Sequence, residues 1–347
     1  MERMDRDAFF AATTPLDEAS LRRVLWTLYS RGSAALRGRI EAELRAATGQ
    51  SPPKPSPVVV DPEEVLSDVR EFAELARAGA YLGGDRRVTP RERTRWRFTF
   101  RALAKDAIAA SCDAALSEGV TALEELVDLA VETWGWDYFR SDDPLEAAGF
   151  VVSDAVETLW RSTREREGFA PFATKAAGQL VRWETRHGWT RSGYGKVAAK
   201  ERPPAVVLAG MLPAPDRWVA VVDCYLAALD QAARQGSGRA RSANDRTPER
   251  RSEALALWHS LLLDRLLGSE AEDRLDRLGA HPALDGPEQW FFQARLAASK
   301  GDEDRARRLL SDALRRLPGR PEFRTFADEL GLEPPELCPT RLAPDQS

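Results

Sequence analysis

Apolar residues recur along most of this chain with the three-to-four-residue spacing of an amphipathic helix. An early segment carries Leu21, Val24, Leu25 and Leu28 on one face, and comparable segments follow through most of the chain. Alternation of apolar and polar residues over the length of a strand is absent, since Val58–Val60 is short and flanked by proline. The pattern therefore predicts an all-α fold.

Several helix starts carry the same local signal, an Asp or Thr before a Pro, with an acidic residue in the first turn. The Asp or Thr oxygen can accept a hydrogen bond from an unpaired backbone N–H, and Pro suits the first helical position. A related Thr-to-Glu capping box occupies residues 121–124. The Asp–Pro and Thr–Pro signals predict helices that begin at residues 14–17, 61–64, 89–92, 143–146 and 247–249. The helix that begins at Asp143 is expected to continue through Trp160.

Two segments without helical periodicity divide the chain. Residues 50–60 include four prolines and indicate a stiff, extended linker, whereas residues 236–247 are rich in Gly, Ser, Asn and Asp and indicate a flexible loop. The expected organisation is an N-terminal helical hairpin, a central helical domain, a C-terminal helical region and a tail, at residues 1–49, 61–235, 248–332 and 333–347.

Residues 287–320 carry aromatic, small and turn-forming residues at the spacing of a tightly packed helical hairpin. These residues are Trp290, Ala294, Gly301, Ala306, Leu310, Ala313 and Pro318. Small residues let two helices approach closely, the aromatic ring fills the space beside them, and Pro ends the second helix. The segment resembles a tetratricopeptide repeat, with Gln293 and Ala297 where that family usually has Leu and Tyr.

The resemblance covers about a tenth of the chain. It implies antiparallel helical hairpins that form an α-solenoid or a compact helical array. Because such arrays present an extended concave surface, it also implies a role as a protein-interaction scaffold. The resemblance identifies no partner.

Composition narrows the classes of function. The chain has 55 acidic and 50 basic residues, so its overall charge selects no polyanionic partner. Three cysteines and three histidines show no metal-ligand spacing, and no cofactor motif is present. Neither a signal peptide nor an apolar run of about 18 residues occurs, which favours a cytoplasmic protein. Only six of the basic residues are Lys, and the excess of Arg is typical of a high-GC, bacterial genome.

A basic stripe, which we define as Arg93, Arg97, Arg101 and Lys105, recurs every four residues within the basic segment 86–105. Such a stripe can neutralise the phosphates of a nucleic acid. However, residues 113–146 contain ten acidic residues and a single Arg. Pairing of the stripe with this acidic segment, or exposure to solvent, is therefore the favoured interpretation, with nucleic-acid binding as the alternative.

Residues 134–143 combine four aromatic rings with carboxylates, and Trp136, Asp137 and Tyr138 are candidate site residues here. They could form an acid–base pocket or a cation-binding aromatic box. The favoured interpretation is that the aromatic residues pack between hairpins and that Asp142 or Asp143 caps a helix.

A basic, glycine-containing loop supplies the last candidates, Arg191, Tyr194 and Lys196. Residues 192–196 have the glycines and lysine of a phosphate-binding loop, but they lack its spacing and a preceding strand. We therefore expect a surface loop.

The leading functional hypothesis is a non-enzymatic scaffold or regulator that binds another protein and uses no cofactor. A nucleic-acid-associated regulator acting through residues 86–105 is the first alternative. An enzyme with a site near residues 134–143 is the second.

Overall fold

Fifteen α-helices and no β-strand occupy the part of the chain that the computed structural model describes, which confirms the all-α class. The described residues are 6–31, 40, 44, 61–81, 90–112, 117–133, 143–185, 188–190, 193–235 and 247–332.

The chain divides into two units, residues 1–59 and residues 60–347. The first contains α1 (Arg6–Thr13) and α2 (Glu18–Arg31). The second contains α3 (Pro62–Arg77), α4 (Pro90–Ser111), α5 (Glu118–Thr133), α6 (Pro144–Ala148), α7 (Val152–Glu167), α8 (Phe169–Trp183), α9 (Pro204–Gly210), α10 (Pro215–Gln235), α11 (Pro248–Leu266), α12 (Asp273–Gly279), α13 (Pro287–Ser299), α14 (Glu303–Arg316) and α15 (Pro321–Glu329).

Helices that are close in the chain pack against each other in the second unit. For example, α3 packs on α4 and α5, α7 on α8, α8 on α10, α11 on α13, and α13 on α14. The main hydrophobic core includes residues from Val65 to Leu296. Helices on both sides of the predicted loop at 236–247 therefore share one core, and most of that loop lies outside the described residues.

The local helix signals are confirmed at some positions and shifted at others. Asp61 and Asp143 cap α3 and α6 as expected, with Asp143 accepting a hydrogen bond from the backbone N–H of Leu145 at 3.0 Å. In the N-terminal unit the cap is Asp17, which accepts from the N–H of Ser20 at 2.8 Å, so α2 begins later than expected. Most of its expected partner helix lies outside the described residues.

Two expectations about helix extent are wrong. The helix that starts after Asp143 ends at Gly149, whose φ of +67° stops it and separates α6 from α7. α5 begins at Glu118, three residues before the expected capping box. The Thr121 hydroxyl donates back to the Ser117 carbonyl at 3.0 Å instead of capping the helix.

The C-terminal hairpin of α13 and α14 brings the predicted small residues together. Ala294, Ala306, Leu310 and Ala313 are fully buried, and Gly301 takes a φ of +79° in the turn between the helices. A second hydrophobic cluster, which includes Ala294 and Leu310, extends this packing to α15. The hairpin and α15 therefore pack around a small hydrophobic core of their own at the C-terminal end of the fold.

Candidate binding cleft

The basic stripe lies on α4, but its members have different environments. Arg93 is helical, and its side chain lies outside the described part of the structure. Arg97 is partly buried, whereas Lys105 is exposed. The Arg101 guanidinium donates to the Ala148 carbonyl at 2.7 Å and so pairs with the C-terminal end of α6.

The acidic residues of α5 pair with other helices. Glu132 accepts two hydrogen bonds of 3.0 Å from Arg77 of α3. Arg182 of α8 contacts Asp128 at 3.0 Å and Glu124 at 2.6 Å. Among the described side chains, no ion pair joins the stripe to α5. Arg77 and Arg182 hold those carboxylates of α5 instead. Pairing of the stripe with the rest of the acidic segment stays a prediction, as does its exposure to solvent.

Four candidate residues lie outside the described part of the chain, namely Trp136, Asp137, Tyr138 and Arg191. Their suggested roles remain predictions. The neighbouring Asp143 is described and acts as a helix cap, in agreement with the capping interpretation.

The loop that contains Tyr194 and Lys196 does gather backbone donors around an anion, but the anion belongs to the chain itself. The Glu146 carboxylate accepts hydrogen bonds from the N–H groups of Lys196 at 2.6 Å and Val197 at 2.9 Å. The Tyr194 side chain is 84% exposed. Sequence reasoning missed Glu146, which lies 50 residues earlier, because nothing in local spacing connects it to this loop.

Two carboxylates also hold the chain that follows this loop. Glu201 accepts from the N–H groups of Val152 and Ser153 at 2.7 and 3.0 Å, and burial raises the pKa of this carboxyl. Glu184 is 1% exposed and accepts from the N–H of Ala205 at 2.6 Å. These bonds cap the starts of α7 and α9 and fix the backbone between them.

A cleft of about 580 Å³ lies between α11, α13 and α15. Each helix contributes residues separated by three, four or seven positions, which share one helix face. These residues are Glu253, Leu257 and Ser260 of α11, Glu288, Phe291 and Arg295 of α13, and Glu322, Phe326 and Glu329 of α15.

The floor of the cleft is apolar and aromatic. Leu257 is 40% exposed, and Phe291 and Phe326 are partly buried. The Phe291 ring lies 4.5 Å from the Phe323 ring and 5.7 Å from the Phe326 ring, between ring centroids. Since these rings are held by the second cluster, the floor is a preformed apolar surface.

A buried ion pair joins the start of α13 to the start of α15, two of the helices that line the cleft. Glu288 follows Pro287 at the beginning of α13, and Arg320 precedes Pro321 at the beginning of α15. Their side chains form a salt bridge and are only 7% and 18% exposed. The two prolines start the helices and thereby place the two charges at the same end of the cleft.

Two other polar side chains of the cleft are also hydrogen-bonded. Arg295 donates to the Ser260 hydroxyl at 2.8 Å and to Asp264 at 3.1 Å. His259 lies 2.8 Å from the Tyr225 hydroxyl, and burial lowers the pKa of this imidazole to about 3. His259 is therefore neutral near pH 7, and its hydrogen bond stabilises the cleft wall.

Glu322 and Glu329 give the rim its charge. Both are exposed on α15, and neither makes an ion pair with any described side chain. The cleft therefore offers an apolar floor and, on α15, two rim carboxylates with no ion-pair partner among the described side chains, an arrangement suited to binding a ligand that is both apolar and cationic. The repeat-like spacing in 287–320 predicted one wall, but no sequence signal indicated that α11 and α15 would complete the cleft.

Among the described residues, no group of three or more His, Cys, Asp or Glu side chains is arranged to hold a metal ion. No single described helix has the length and apolar character needed to cross a membrane. Two consecutive segments, Ala198–Gly210 and Pro215–Arg234, have that length and composition only when they are taken together, and they are bent by 108° relative to each other.

Comparison of this chain with protein-family models, with curated proteins and with solved structures finds no match.

Proposed function

We propose that this protein is a non-enzymatic, cytoplasmic scaffold or regulator that binds a segment of a partner protein in the cleft between α11, α13 and α15. The cleft itself carries this proposal. Protein interfaces combine an apolar, aromatic centre with a polar rim, and the cleft has Leu257, Phe291 and Phe326 on its floor and carboxylates around it.

The packing of the C-terminal hairpin supports a repeat-like architecture. Ala306 and Ala313 have no exposed surface where α13 and α14 meet, as the tetratricopeptide resemblance requires. In a helical array of this kind, alternate helices contribute their faces to one surface. α11, α13 and α15 are alternate helices, and they line one cleft.

The surroundings of the basic stripe favour a protein partner over a nucleic acid. Arg101 is exposed, but its guanidinium is engaged by the carbonyls of Ala147 and Ala148, and Arg97 is partly buried. Phosphate neutralisation needs basic side chains that can reach the phosphates. Nucleic-acid binding is therefore an outcome that the experiment must distinguish.

Thr325→Trp tests the proposal by filling the cleft. Thr325 lines the cleft and is exposed, so a larger side chain there can occupy the cleft without entering the core. The matched control is Asp328→Trp, an exposed position on the same helix outside the cleft lining. Each variant is used for affinity purification from the native host, with nuclease treatment, after its circular dichroism and melting temperature are measured.

We expect the wild type and Asp328→Trp to retain the same proteins, and Thr325→Trp to lose them while keeping its melting temperature. Retention of the same proteins by Thr325→Trp would contradict the proposal. Loss of all bound material on nuclease treatment would instead support the nucleic-acid alternative.

A further inference from the structure

We infer that the segment bound in the cleft is a basic amphipathic helix, with apolar side chains against the floor and Lys or Arg side chains beside Glu322 and Glu329. This inference rests on the proposed function and specifies the chemistry of the partner. It excludes acidic segments as partners for this surface.

The charges of the cleft favour a cationic occupant. The Arg320 charge is matched by Glu288, and the Arg295 charge by Asp264. The remaining rim carboxylates on α15, Glu322 and Glu329, have no such partner among the described side chains. Complementary charge at a rim selects partners and accelerates their association.

The spacing of the two carboxylates suits a helix. Glu322 and Glu329 are seven residues apart on one face of α15, and a rise of 1.5 Å per residue places them about 10 Å apart along the axis. A second helix with basic residues at positions i and i+7 presents cations at the same separation. Its residues at i+3 and i+4 then lie between the two charges.

The apolar floor of the cleft lies beside the positions that residues i+3 and i+4 of the bound helix would occupy. Phe326 is four residues after Glu322 and three before Glu329, and its ring contacts Phe291 across the cleft. Two partly exposed rings accept an aliphatic side chain, and they also attract the adjacent cations through their faces. Apolar side chains three to four residues apart on one face are the anchors by which amphipathic helices bind in grooves.

Binding of two model peptides tests the inference. One labelled peptide of about 15 residues has Lys at i, i+7 and i+14, Leu at i+3, i+4, i+10 and i+11 and Ala elsewhere, and its acidic counterpart has Glu in place of Lys. Fluorescence anisotropy measures the affinity of each for the wild type, Thr325→Trp, Glu322→Lys/Glu329→Lys and Asp328→Lys. Spermine is added as a competitor, since a free polyamine offers the same charges without the apolar face.

We expect the wild type and Asp328→Lys to bind the basic peptide and not the acidic one, with an affinity that falls as salt rises. Glu322→Lys/Glu329→Lys should bind the basic peptide about tenfold more weakly or worse, and should bind the acidic peptide instead. Thr325→Trp should bind neither peptide. Spermine at the peptide's concentration should not displace it.

Equal binding of both peptides, equal loss in Asp328→Lys, unchanged binding in Thr325→Trp, or displacement by equimolar spermine would each overturn the inference. Failure of the basic peptide to bind the wild type would also overturn it. If Thr325→Trp nevertheless lost its host proteins, the cleft would still be the binding surface, with a partner of different chemistry. The two experiments therefore fail independently.

Discussion

Arg320→Ala is expected to lower the free energy of unfolding by about 3–5 kcal/mol, the usual cost of removing one partner from a buried ion pair. The Glu288 carboxylate is only 7% exposed, and the substitution removes the guanidinium that balances its charge. The ion pair also joins the start of α13 to the start of α15, so its loss weakens the contact between two walls of the cleft. Urea unfolding followed by circular dichroism measures the change.

Arg315→Ala is the matched control, because Arg315 is 72% exposed and pairs with Asp312 at 3.2 Å on the surface of α14. Exposed pairs contribute about 0–1 kcal/mol, so this variant should unfold close to the wild type. Glu288→Leu combined with Arg320→Met should recover most of the lost stability, since no charge then remains buried. Equal effects of Arg320→Ala and Arg315→Ala would contradict the buried-pair interpretation.

Gly119→Ala is expected to destabilise the protein by about 1–3 kcal/mol, even though Ala is the better helix former. A Cβ atom at Gly119 would lie 2.4 Å from the backbone carbon of Ala110 and 2.6 Å from the backbone nitrogen of Ser111. Because both contacts are with backbone atoms, α4 and α5 must separate to admit the methyl group. Thermal and urea unfolding both report this effect.

Gly178→Ala is the matched comparison, for which we expect stabilisation instead of destabilisation. Gly178 is exposed within α8, and a Cβ there would meet no atom within 4 Å. Its replacement should stabilise the protein by about 0.5–1 kcal/mol through helix propensity alone. If both variants were stabilised, the close approach of α4 and α5 at Gly119 would not exist in the folded protein.

The helical class and several helix starts could be predicted because they depend on local chemistry. Asp61 and Asp143 each bond to backbone groups within three residues, so adjacent residues suffice to indicate the cap. The break at Gly149 was missed because the apolar spacing continues across it into α7. The spacing of apolar residues indicates which face of a helix is buried, but it gives no sign of a single residue with positive φ that ends the helix.

The ion-pair partners of the acidic residues on α5 could not be predicted, for a different reason. Opposite charges on successive segments suggested that α4 would pair with α5, but the partners of a charged side chain depend on which helices pack nearby. Arg182 reaches Glu124 from 58 residues away, and Arg77 reaches Glu132 from 55. Long-range placement of this kind has no signature in the spacing of charges along the chain.

The cleft was only partly predictable from the sequence, because it combines one locally encoded hairpin with long-range packing. The resemblance in residues 287–320 indicated the α13–α14 hairpin, but Leu257 and Phe326 join the same surface only after three helices have packed. Their sequence patterns are those of ordinary amphipathic helices. The mixture of apolar floor and acidic rim therefore becomes visible in the folded chain alone.

Site-specific photocross-linking in the native host tests the central claim, that the cleft is the surface at which this protein binds its partner. A photoreactive amino acid replaces Leu257 in the cleft or, as a control, Leu75 on α3, two leucines that are 40% and 41% exposed. We expect a covalent adduct with a discrete protein at position 257 and none at position 75. Adducts at both positions, or at position 75 alone, would contradict it.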